Sequence, residues 1–477
     1  MKKVLLVNAN TEKMPYPVAP LGLCLLASQL ENKYTVKIYD GVFDEGLHLT
    51  DEILAFKPDY IGVSIRNIDN MYLESPSDYT VILMQKFILP IEQCSPDTPL
   101  ILGGSGFSIY PQELMQLTRA DYGISGEGEF ALPALLQCLD ERSEVSGIPG
   151  IYSKNGTVGS HLAICYPFSL KNLLFSKIDK HIDFEPYRQR GAYPIQSKRG
   201  CYHNCIYCAY PVIEGRNYRL RLPEEIVNEI EEVIQRLGTL TFEFVDSTFN
   251  DPPGHAEAIC YEIIKRNIGA KFRTMGINPM HTSSELFHLM KEAGFTQIDC
   301  TPDSASPTMI QKLQKNFTLV HLKQIARLIR EADLPTMWFF LLGGPGENET
   351  TVEETFSFID RWIYPLDLVH FTVGLRIYPQ TPLYTIAVQE GKIKEGDSLF
   401  APEFYLSSEL GKEKLYRLVN EAAAKRPNCI PAWESNPTPE MVKEAFALQQ
   451  KESYREPLFR TLLRIRYRNF KMEIPKQ

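Results

Sequence analysis

The chain has 477 residues, of which 44% are hydrophobic and 23% are charged, and its formal net charge is −9. This length and composition are typical of a globular protein with two or three domains, and the acidic balance argues against a nucleic-acid binder. No apolar run approaches the roughly 20 residues of a membrane-spanning helix, and the first residues do not form a signal peptide. We therefore expect a protein that is not transmembrane and lies in the cytoplasm.

The first 140 residues alternate short apolar strands with helical segments. The predicted strands are 4–7, 34–39, 60–64, 100–102 and 122–124, and the predicted helices include 21–30, 80–91 and 130–139. Strands that alternate with helices predict βαβ units, and hence an α/β, Rossmann-like, doubly wound parallel sheet. Ligands of such sheets bind beyond the carboxyl ends of the strands.

Polar and glycine-rich loops follow three of these strands. Ser64, Arg66 and Asn67 follow the third strand, the run Gly103-Gly104-Ser105 follows the fourth, and Gly126-Glu127-Gly128 follows the fifth. Glycine at a strand end lets a ligand approach the backbone closely. Taken singly, each loop is equally well explained as ordinary turn chemistry.

The rest of the chain divides into three parts. Residues 141–190 read as a linker, because they carry turn residues, weak periodicity and Pro167. Strand and helix alternation resumes over 191–390 with six predicted strands, which are 193–197, 241–245, 270–275, 297–301, 336–341 and 368–378. Six βα units predict a partial (β/α)6 barrel, whose catalytic groups come from the carboxyl ends of its strands. Residues 391–477 are predicted to be mainly helical.

Three cysteines are closely spaced directly after the first barrel strand. Cys201, Cys205 and Cys208 stand in the run RGCYHNCIYCAYP. A cubane iron–sulfur cluster normally takes four thiolates, so three would leave one iron open. A zinc site completed by His203 is the alternative. The seven other cysteines are scattered, as reduced thiols in the cytosol are.

The cysteine run resembles the signature of the radical S-adenosylmethionine (SAM) enzymes, in which the open iron chelates SAM. Polar residues at later strand ends follow in the family's order, including LGGPGE and YPQTPL near residues 342–347 and 378–383. The resemblance implies a 4Fe–4S cluster on Cys201, Cys205 and Cys208. It also implies SAM contacts from Tyr207, Asp246, Arg273, Asp303, Gly344 and Arg376.

The first 140 residues resemble the cobalamin-binding domain of the cobalamin-dependent radical SAM family, through APLGLCLLASQL, LILGGSGFSIYPQELM and ADYGISGEGEFALPALL. The chain lacks the Asp-x-His-x-x-Gly motif, and His48 lies outside any such context, so no lower ligand of cobalt is assigned. The implied cobalamin-binding residues are Leu21, Ser64, Arg66, Asn67, Gly103, Gly104, Ser105, Gly126, Glu127 and Gly128.

The resemblance implies a methyltransferase that acts on an unactivated carbon through a 5′-deoxyadenosyl radical and methylcobalamin. The same cofactors also serve non-methylating reactions such as cyclisation, ring contraction or rearrangement. A methylthiotransferase with a second cluster on Cys24, Cys94 and Cys138, and a non-enzymatic cobalamin- or metal-binding regulator, are further alternatives. The implied partners are a small-molecule, lipid or peptide substrate and a low-potential electron donor such as flavodoxin or ferredoxin.

Overall fold

The structure, a computed structural model, describes residues 1–14, 16–154, 156–157, 170, 177–189 and 191–474. Two seven-stranded sheets dominate these residues and follow one another along the chain. Much of the predicted linker, including Pro167 and the scattered Cys165, lies outside the described residues. None of the helices in the described ranges is long and apolar enough to cross a membrane.

The first sheet is the predicted Rossmann-like sheet. Its strands, in chain order, are β1 (Lys3–Asn8), β2 (Thr35–Asp40), β3 (Tyr60–Ser64), β4 (Leu100–Gly103), β5 (Tyr122–Ile124), β6 (Ile151–Ser153) and β7 (Gly156–Thr157). The spatial order is β2-β1-β3-β4-β5-β6-β7, with the first five strands parallel and the last two antiparallel. The order reverses between β1 and β3, which is where such sheets bind ligands.

Helices cover both faces of this sheet, as the alternation predicts. They are α1 (Leu21–Leu30), α2 (Gly41–Asp44), α3 (Leu49–Phe56), α4 (Tyr79–Leu83), α5 (Leu89–Cys94), α6 (Ser105–Ile109), α7 (Pro111–Thr118) and α8 (Gly128–Glu141). A π-helical turn, Met84–Ile88, joins α4 to α5, so the helix predicted over 80–91 is one continuous but irregular segment. Two short helices, α9 (Ile178–His181) and α10 (Glu185–Arg188), lead to the second sheet.

The second sheet is an entirely parallel partial barrel with the order β18-β15-β14-β13-β12-β11-β8. Two short antiparallel ribbons, β9–β10 and β16–β17, flank it. The strands are β8 (Tyr193–Ile195), β9 (Lys198–Arg199), β10 (Arg219–Leu220), β11 (Thr241–Phe244), β12 (Lys271–Ile277), β13 (Phe295–Asp303), β14 (Thr336–Leu342), β15 (Leu368–Val373), β16 (Leu375–Arg376), β17 (Phe404–Tyr405) and β18 (Cys429–Pro431).

The remaining helices lie outside the barrel or follow it. They are α11 (Tyr210–Ile213), α12 (Pro223–Leu237), α13 (His255–Lys265), α14 (Ser284–Ala293), α15 (Pro307–Lys312), α16 (Leu319–Glu331), α17 (Glu349–Trp362), α18 (Pro382–Gln389), α19 (Gly411–Lys425), α20 (Pro439–Glu452) and α21 (Leu458–Asn469). The six-stranded barrel and the helical C-terminal region are confirmed, with one addition. The C-terminal region also supplies β18, a seventh strand that pairs with β15.

Two local features differ from the sequence expectation. The strand predicted over 368–378 breaks at Gly374, whose φ of +82° turns the chain out of the barrel, so β16 pairs with β17 instead. The amphipathic helix α21 packs against one side of the barrel, where Phe459 and Leu463 contact Met337 and Leu368 in one apolar cluster. The three-residue strand β18 is too short to give a period-2 pattern, which is why its sequence did not reveal it.

Candidate functional site

The cysteine loop connects β9 to α11 at the carboxyl end of the first barrel strand. Gly200 opens it with a φ of +92°, and a Cβ at this position would collide with the carbonyl oxygen of Asn217. The backbone N–H of Cys201 donates to the carbonyl of Gly215 at 3.1 Å, and that of Ile206 donates to Leu313 at 3.2 Å. Local turn chemistry and one long-range bond therefore hold the loop in place.

The three cysteines line one cavity of about 340 Å³, within the range of about 300–1,000 Å³ for ligand pockets. In the described ranges, no three His, Cys, Asp or Glu side chains converge as the ligands of a single metal ion would. A multi-iron cluster makes no such demand, since its thiolates are held by different irons. Burial raises the pKa of the Cys208 thiol to about 12, so a positively charged metal centre is what would hold it as a thiolate.

His203 lines the same cavity as the cysteines, but its Nε2 is engaged by other side chains. Its Nε2 lies 2.8 Å from the carboxylate of Asp251, which is fully buried, and 3.3 Å from the amide of Asn278. Asn250 holds the same region through two backbone carbonyls, at Asn278 and His281. The ring therefore belongs to a hydrogen-bonded network that supports the loop, and this network accounts for His203 without a zinc ion.

Three further side chains lie beside the cysteines in the same cavity. Asp303 pairs with Lys315 at 2.7 Å and accepts a short hydrogen bond from Tyr207. Burial opposes the charge of Lys315, but Asp303 and Cys205 outweigh it and raise its pKa. Tyr207 and Asp303 were predicted here from the sequence, whereas Lys315 was not, because its loop carries no local motif. Lys315 places a buried positive charge next to the cysteine thiols.

Asp246 also lines this cavity, but its carboxylate is already engaged. It accepts hydrogen bonds from the backbone N–H and the hydroxyl of Ser197 at 2.8 and 2.6 Å. It also pairs with the buried ammonium of Lys198 at 3.5 Å. Asp246 therefore fixes the turn between β8 and β9, from which the cysteine loop starts.

Both predicted SAM-binding arginines lie elsewhere. Arg376 is buried and donates to Asp69 at 2.9 Å and to the carbonyl of Leu399 at 2.8 Å, so it joins the barrel to the first domain. Arg273 points into the barrel, where it pairs with Glu243 and its guanidinium lies 4.2 Å from the ring centre of Tyr16. Neither arginine lines the cysteine cavity, and their contact with SAM stays a prediction. Each side chain has a carboxylate partner of its own that directs it away.

Gly344 is likewise not part of the cavity lining. Its backbone N–H donates to the buried carboxylate of Glu347 at 3.1 Å, and a Cβ would lie 2.9 Å from the methyl group of Met309. Burial raises the pKa of Glu347 to about 7. The LGGPGE run is therefore a tight, packed turn, and the prediction that Gly344 contacts SAM is not supported.

A second cavity lies at the carboxyl edge of the first sheet, between that sheet and the barrel. Its mainly apolar lining includes seven of the ten predicted cobalamin-binding residues, Leu21, Ser64, Gly103, Gly104, Gly126, Glu127 and Gly128. The barrel contributes four residues that the sequence analysis missed, Gln196, Arg199, Ile213 and Glu214. Gln196 and Arg199 flank the end of a barrel strand. Because functional groups of such barrels come from the strand ends, this position could have indicated them as candidates.

The three other predicted residues do not line this cavity. Arg66 is exposed, Asn67 is partly exposed, and the hydroxyl of Ser105 donates to the carbonyl of Arg66 at 2.8 Å. The two loops therefore bond to each other at the rim. The prediction treated every residue of each loop alike, although only the glycines, Ser64 and Glu127 line the cavity.

Buried ion pairs join arginines of the barrel to glutamates of the first domain beside this cavity. Arg219 binds Glu127 through two bonds of 2.7 and 2.5 Å, and Arg199 binds Glu129 at 2.5 Å. Burial favours the neutral form of Glu127, but Arg219 and Arg199 hold its pKa below the usual value. Glu127 thus bonds to the barrel while it lines the cavity.

Gly104 allows a test of whether the glycine loop binds cobalamin. Its φ is +97°, and a Cβ would lie 2.5 Å from the carbonyl oxygen of Ile65. We expect Gly104→Ala to cost about 1–3 kcal/mol of local strain and to reduce bound cobalamin, measured as cobalt per chain after reconstitution. Gly269→Ala is the matched control, since its Cβ meets nothing within 4 Å. Equal cobalt in both variants would contradict a role for this loop.

The N-terminal cysteines do not form a second site. Cys24 is buried in the barrel-side core, Cys94 packs against the core that includes Phe87, and Cys138 packs against a third core around Leu135. Three thiols in three separate apolar clusters do not reach one iron–sulfur cluster. The methylthiotransferase alternative loses the feature that motivated it.

Known proteins share this arrangement. The Radical SAM superfamily profile matches residues 195–359, and the B12 binding domain profile matches residues 7–136. An uncharacterised methyltransferase of Pyrococcus horikoshii is 26% identical over 399 residues, which are 81% of this chain and 83% of that protein. The tryptophan 2-C-methyltransferase of Streptomyces laurentii is 23% identical over 447 residues, covering 79% and 73% of the two chains.

A solved structure extends the likeness to the whole fold. The radical SAM methyltransferase TsrM from Kitasatospora setae, with cobalamin and a [4Fe–4S] cluster bound, superposes with a TM-score of 0.80, 24% identity and 99% coverage of both chains. The barrel with its cysteine loop is thus a radical SAM domain. A B12 binding domain precedes it, so the chain carries the pair of domains that defines a cobalamin-dependent radical SAM architecture.

Proposed function

We propose that this protein is a cobalamin-dependent radical SAM methyltransferase that methylates an unactivated carbon of a small molecule. The observation that carries the proposal is the shared wall between the two cavities. Residues 196–214 contribute Gln196 and Glu214 to the glycine-lined cavity and the three cysteines to the other. A methyl donor in one cavity and a radical source in the other would face each other across this segment.

The residues fit the cofactors in distinct ways. We assign Cys201, Cys205 and Cys208 to a 4Fe–4S cluster, and Tyr207 and Asp303 to bound SAM. The glycines and Ser64 of the first domain are assigned to cobalamin. When bound, these cofactors supply a reducing electron, a carbon radical and a transferable methyl group.

The chain's own groups prepare the site for that chemistry. Lys315 is held cationic by Asp303 and offsets negative charge next to the cysteine thiols. Asp246 and Ser197 fix the start of the loop, so the thiols do not need to be ordered when the cluster binds. Apolar side chains such as Leu21 and Leu132 line part of the glycine-lined cavity, and an apolar wall limits the contact of reactive intermediates with water.

The relatives favour methyl transfer over the alternatives. Two of the curated proteins that match most of the chain are methyltransferases by name, and the structure with tryptophan bound is also that of a methyltransferase. We further propose that a flavodoxin- or ferredoxin-type protein delivers the electron, and that the enzyme works in the cytoplasm. The thiols of the described cysteines are free, as they are in a reducing compartment.

The proposal is tested with anaerobically purified protein, reconstituted with iron, sulfide and hydroxocobalamin. We expect about four irons and one cobalt per chain. With SAM labelled in its methyl group and a chemical reductant, the label should appear on the bound cobalamin. Four irons without cobalt, or cobalt that never takes the label, would contradict methyl transfer, and zinc in place of iron would contradict the radical SAM assignment.

A further inference from the structure

The lumen of the partial barrel is open, in contrast to the packed cores on its outer face. On β14, Met337, Phe339 and Leu341 are partly exposed, whereas Trp338 and Phe340 between them are buried. Successive side chains of a strand point to opposite faces, and the buried set packs against the surrounding helices. The partly exposed set therefore faces inward. Met337 packs against α21 and Leu341 packs against the neighbouring core, so Phe339 is the one of the three that faces a space solvent reaches.

This lumen continues directly from the cysteine cavity. Val245, Met275 and Thr301 line that cavity, and Glu243, Arg273 and Asp299 precede them by two residues on the same three strands. Residues two apart share a face and lie about 7 Å from each other. The three charged side chains thus form the next layer below the cysteines. A molecule that extends one layer inward from the cavity meets them.

The charges of this layer do not balance. Glu243 is satisfied on both oxygens, by Arg273 at 2.6 Å and by the hydroxyl of Tyr16 at 2.9 Å. Among the described residues, Asp299 pairs with no cation, and its one hydrogen bond there comes from the amide of Gln297 at 3.2 Å. Burial, opposed by that amide and reinforced by Glu243, raises the pKa of Asp299 to about 7. One carboxyl group of this layer therefore lacks a charged partner, and a cation beside it would favour its ionised form.

A second unsatisfied group faces the same space. His370 lies on the inward side of β15, next to Phe339 at 5.4 Å between ring centres, and is 9% exposed. Within the described part of the chain, its Nδ1 has no hydrogen-bond partner. Burial lowers its pKa to about 4, so the ring is neutral and does not serve as the counter-ion of Asp299. Buried polar atoms without partners are uncommon in folded proteins, and a ligand in the lumen would give this one a partner.

We propose that the molecule which this barrel lumen accepts as substrate is a small amine. Its protonated nitrogen pairs with Asp299. Its apolar part lies against Phe339, whose ring accepts planar groups. One part of this inference rests on the proposed function, namely that the molecule in the lumen is the methyl acceptor.

The charge layer explains why the occupant is a cation and not an anion. A carboxylate at the same place would meet Asp299 and Glu243 with only Arg273 to offset them, and Arg273 is already paired. A neutral amide would leave Asp299 unpaired. A protonated amine adds the missing charge and up to three donors, so it forms a charge-assisted bond, which is stronger than a neutral one.

The test compares three probes that share one ring system, in the reconstituted holoenzyme with SAM bound. Tryptamine is the amine, N-acetyltryptamine is the neutral match, and indole-3-propionate is the anionic match. We expect tryptamine to bind at least tenfold more tightly than either match. Asp299→Asn should remove this preference while binding of the neutral probe stays unchanged, and Phe339→Ala should weaken both tryptamine and N-acetyltryptamine.

Asp360→Asn is the matched control. Asp360 is a half-exposed carboxylate paired with Arg426 outside the barrel, so its variant should keep the amine preference. Iron content and the melting temperature show whether each variant is folded. Equal binding of the three probes, or an amine preference that survives in Asp299→Asn, would overturn the inference.

The measurement also separates this inference from the proposed function. Binding requires no turnover, so tryptamine binding without any methyl transfer from SAM would contradict the proposed function alone. Labelled methyl groups on cobalamin together with equal binding of the three probes would contradict the amine site alone.

Discussion

Replacing Cys205 with alanine is expected to remove nearly all cluster iron, from about four atoms per chain to less than one, and to abolish SAM cleavage. Two thiols then remain in the cavity, and Lys315 next to them is a cation that does not bind iron. Metal binding by a site with three protein ligands depends on each of them. The measurement is iron and sulfide per chain after anaerobic reconstitution, followed by 5′-deoxyadenosine production with SAM and reductant.

Cys94→Ala is the matched control for this prediction. Cys94 is half-buried at the end of α5 and lies outside the cysteine cavity, so this variant should keep wild-type iron. Loss of iron in both variants would mean that the cluster depends on general stability. Full iron in Cys205→Ala would show that the loop does not hold the cluster through three thiolates.

The cysteine loop and the glycine loops could be predicted because their information is local. Ligand spacing within eight residues and glycines directly after strands do not depend on how distant parts of the chain pack. Gly104 illustrates this, since its positive φ and the close approach of Ile65 require glycine whatever binds there. The alternation of strands and helices was similarly readable, because each strand forms a short apolar run bounded by turns.

The two arginines could not be placed, because their partners are far away in sequence. Arg376 lies within the last predicted barrel strand, but Asp69 lies 307 residues earlier and holds it. Arg273 lies within a strand, where its direction depends on which face is inward, and Glu243 and Tyr16 direct it there. The motif order was informative about the fold, but it did not determine which side chains meet the cavity.

The proposed amine site in the lumen could not be predicted from the sequence for a related reason. On β14, the sequence TMWFFLL is apolar throughout, so it does not show that Phe339 faces an open space while Trp338 is packed. Asp299 stands in a strand without any motif. Only the barrel brings them to one space, together with Tyr16 from the first domain.

Replacing Arg376 with methionine is expected to lower the free energy of unfolding by about 3–5 kcal/mol, as is usual when one partner of a buried ion pair is removed. Asp69 is 4% exposed and would lose its counter-ion. The carbonyl of Leu399 and the hydroxyl of Tyr110 would lose donors at 2.8 and 3.2 Å. Methionine keeps the volume of the side chain but restores none of these bonds. The measurement is urea unfolding followed by circular dichroism.

Arg426→Met provides the comparison, because it makes the same substitution at an ion pair whose carboxylate, Asp360, is half-exposed. Exposed pairs contribute about 0–1 kcal/mol, so a small loss is expected there. The double variant Asp69→Leu with Arg376→Met should recover most of the stability, since the cost of the single variant is the unpaired charge and not the missing attraction. Equal losses for Arg376→Met and Arg426→Met would contradict this explanation. A large loss that the double variant does not recover would instead mean that the bonds to Leu399 and Tyr110 hold the first domain against the barrel.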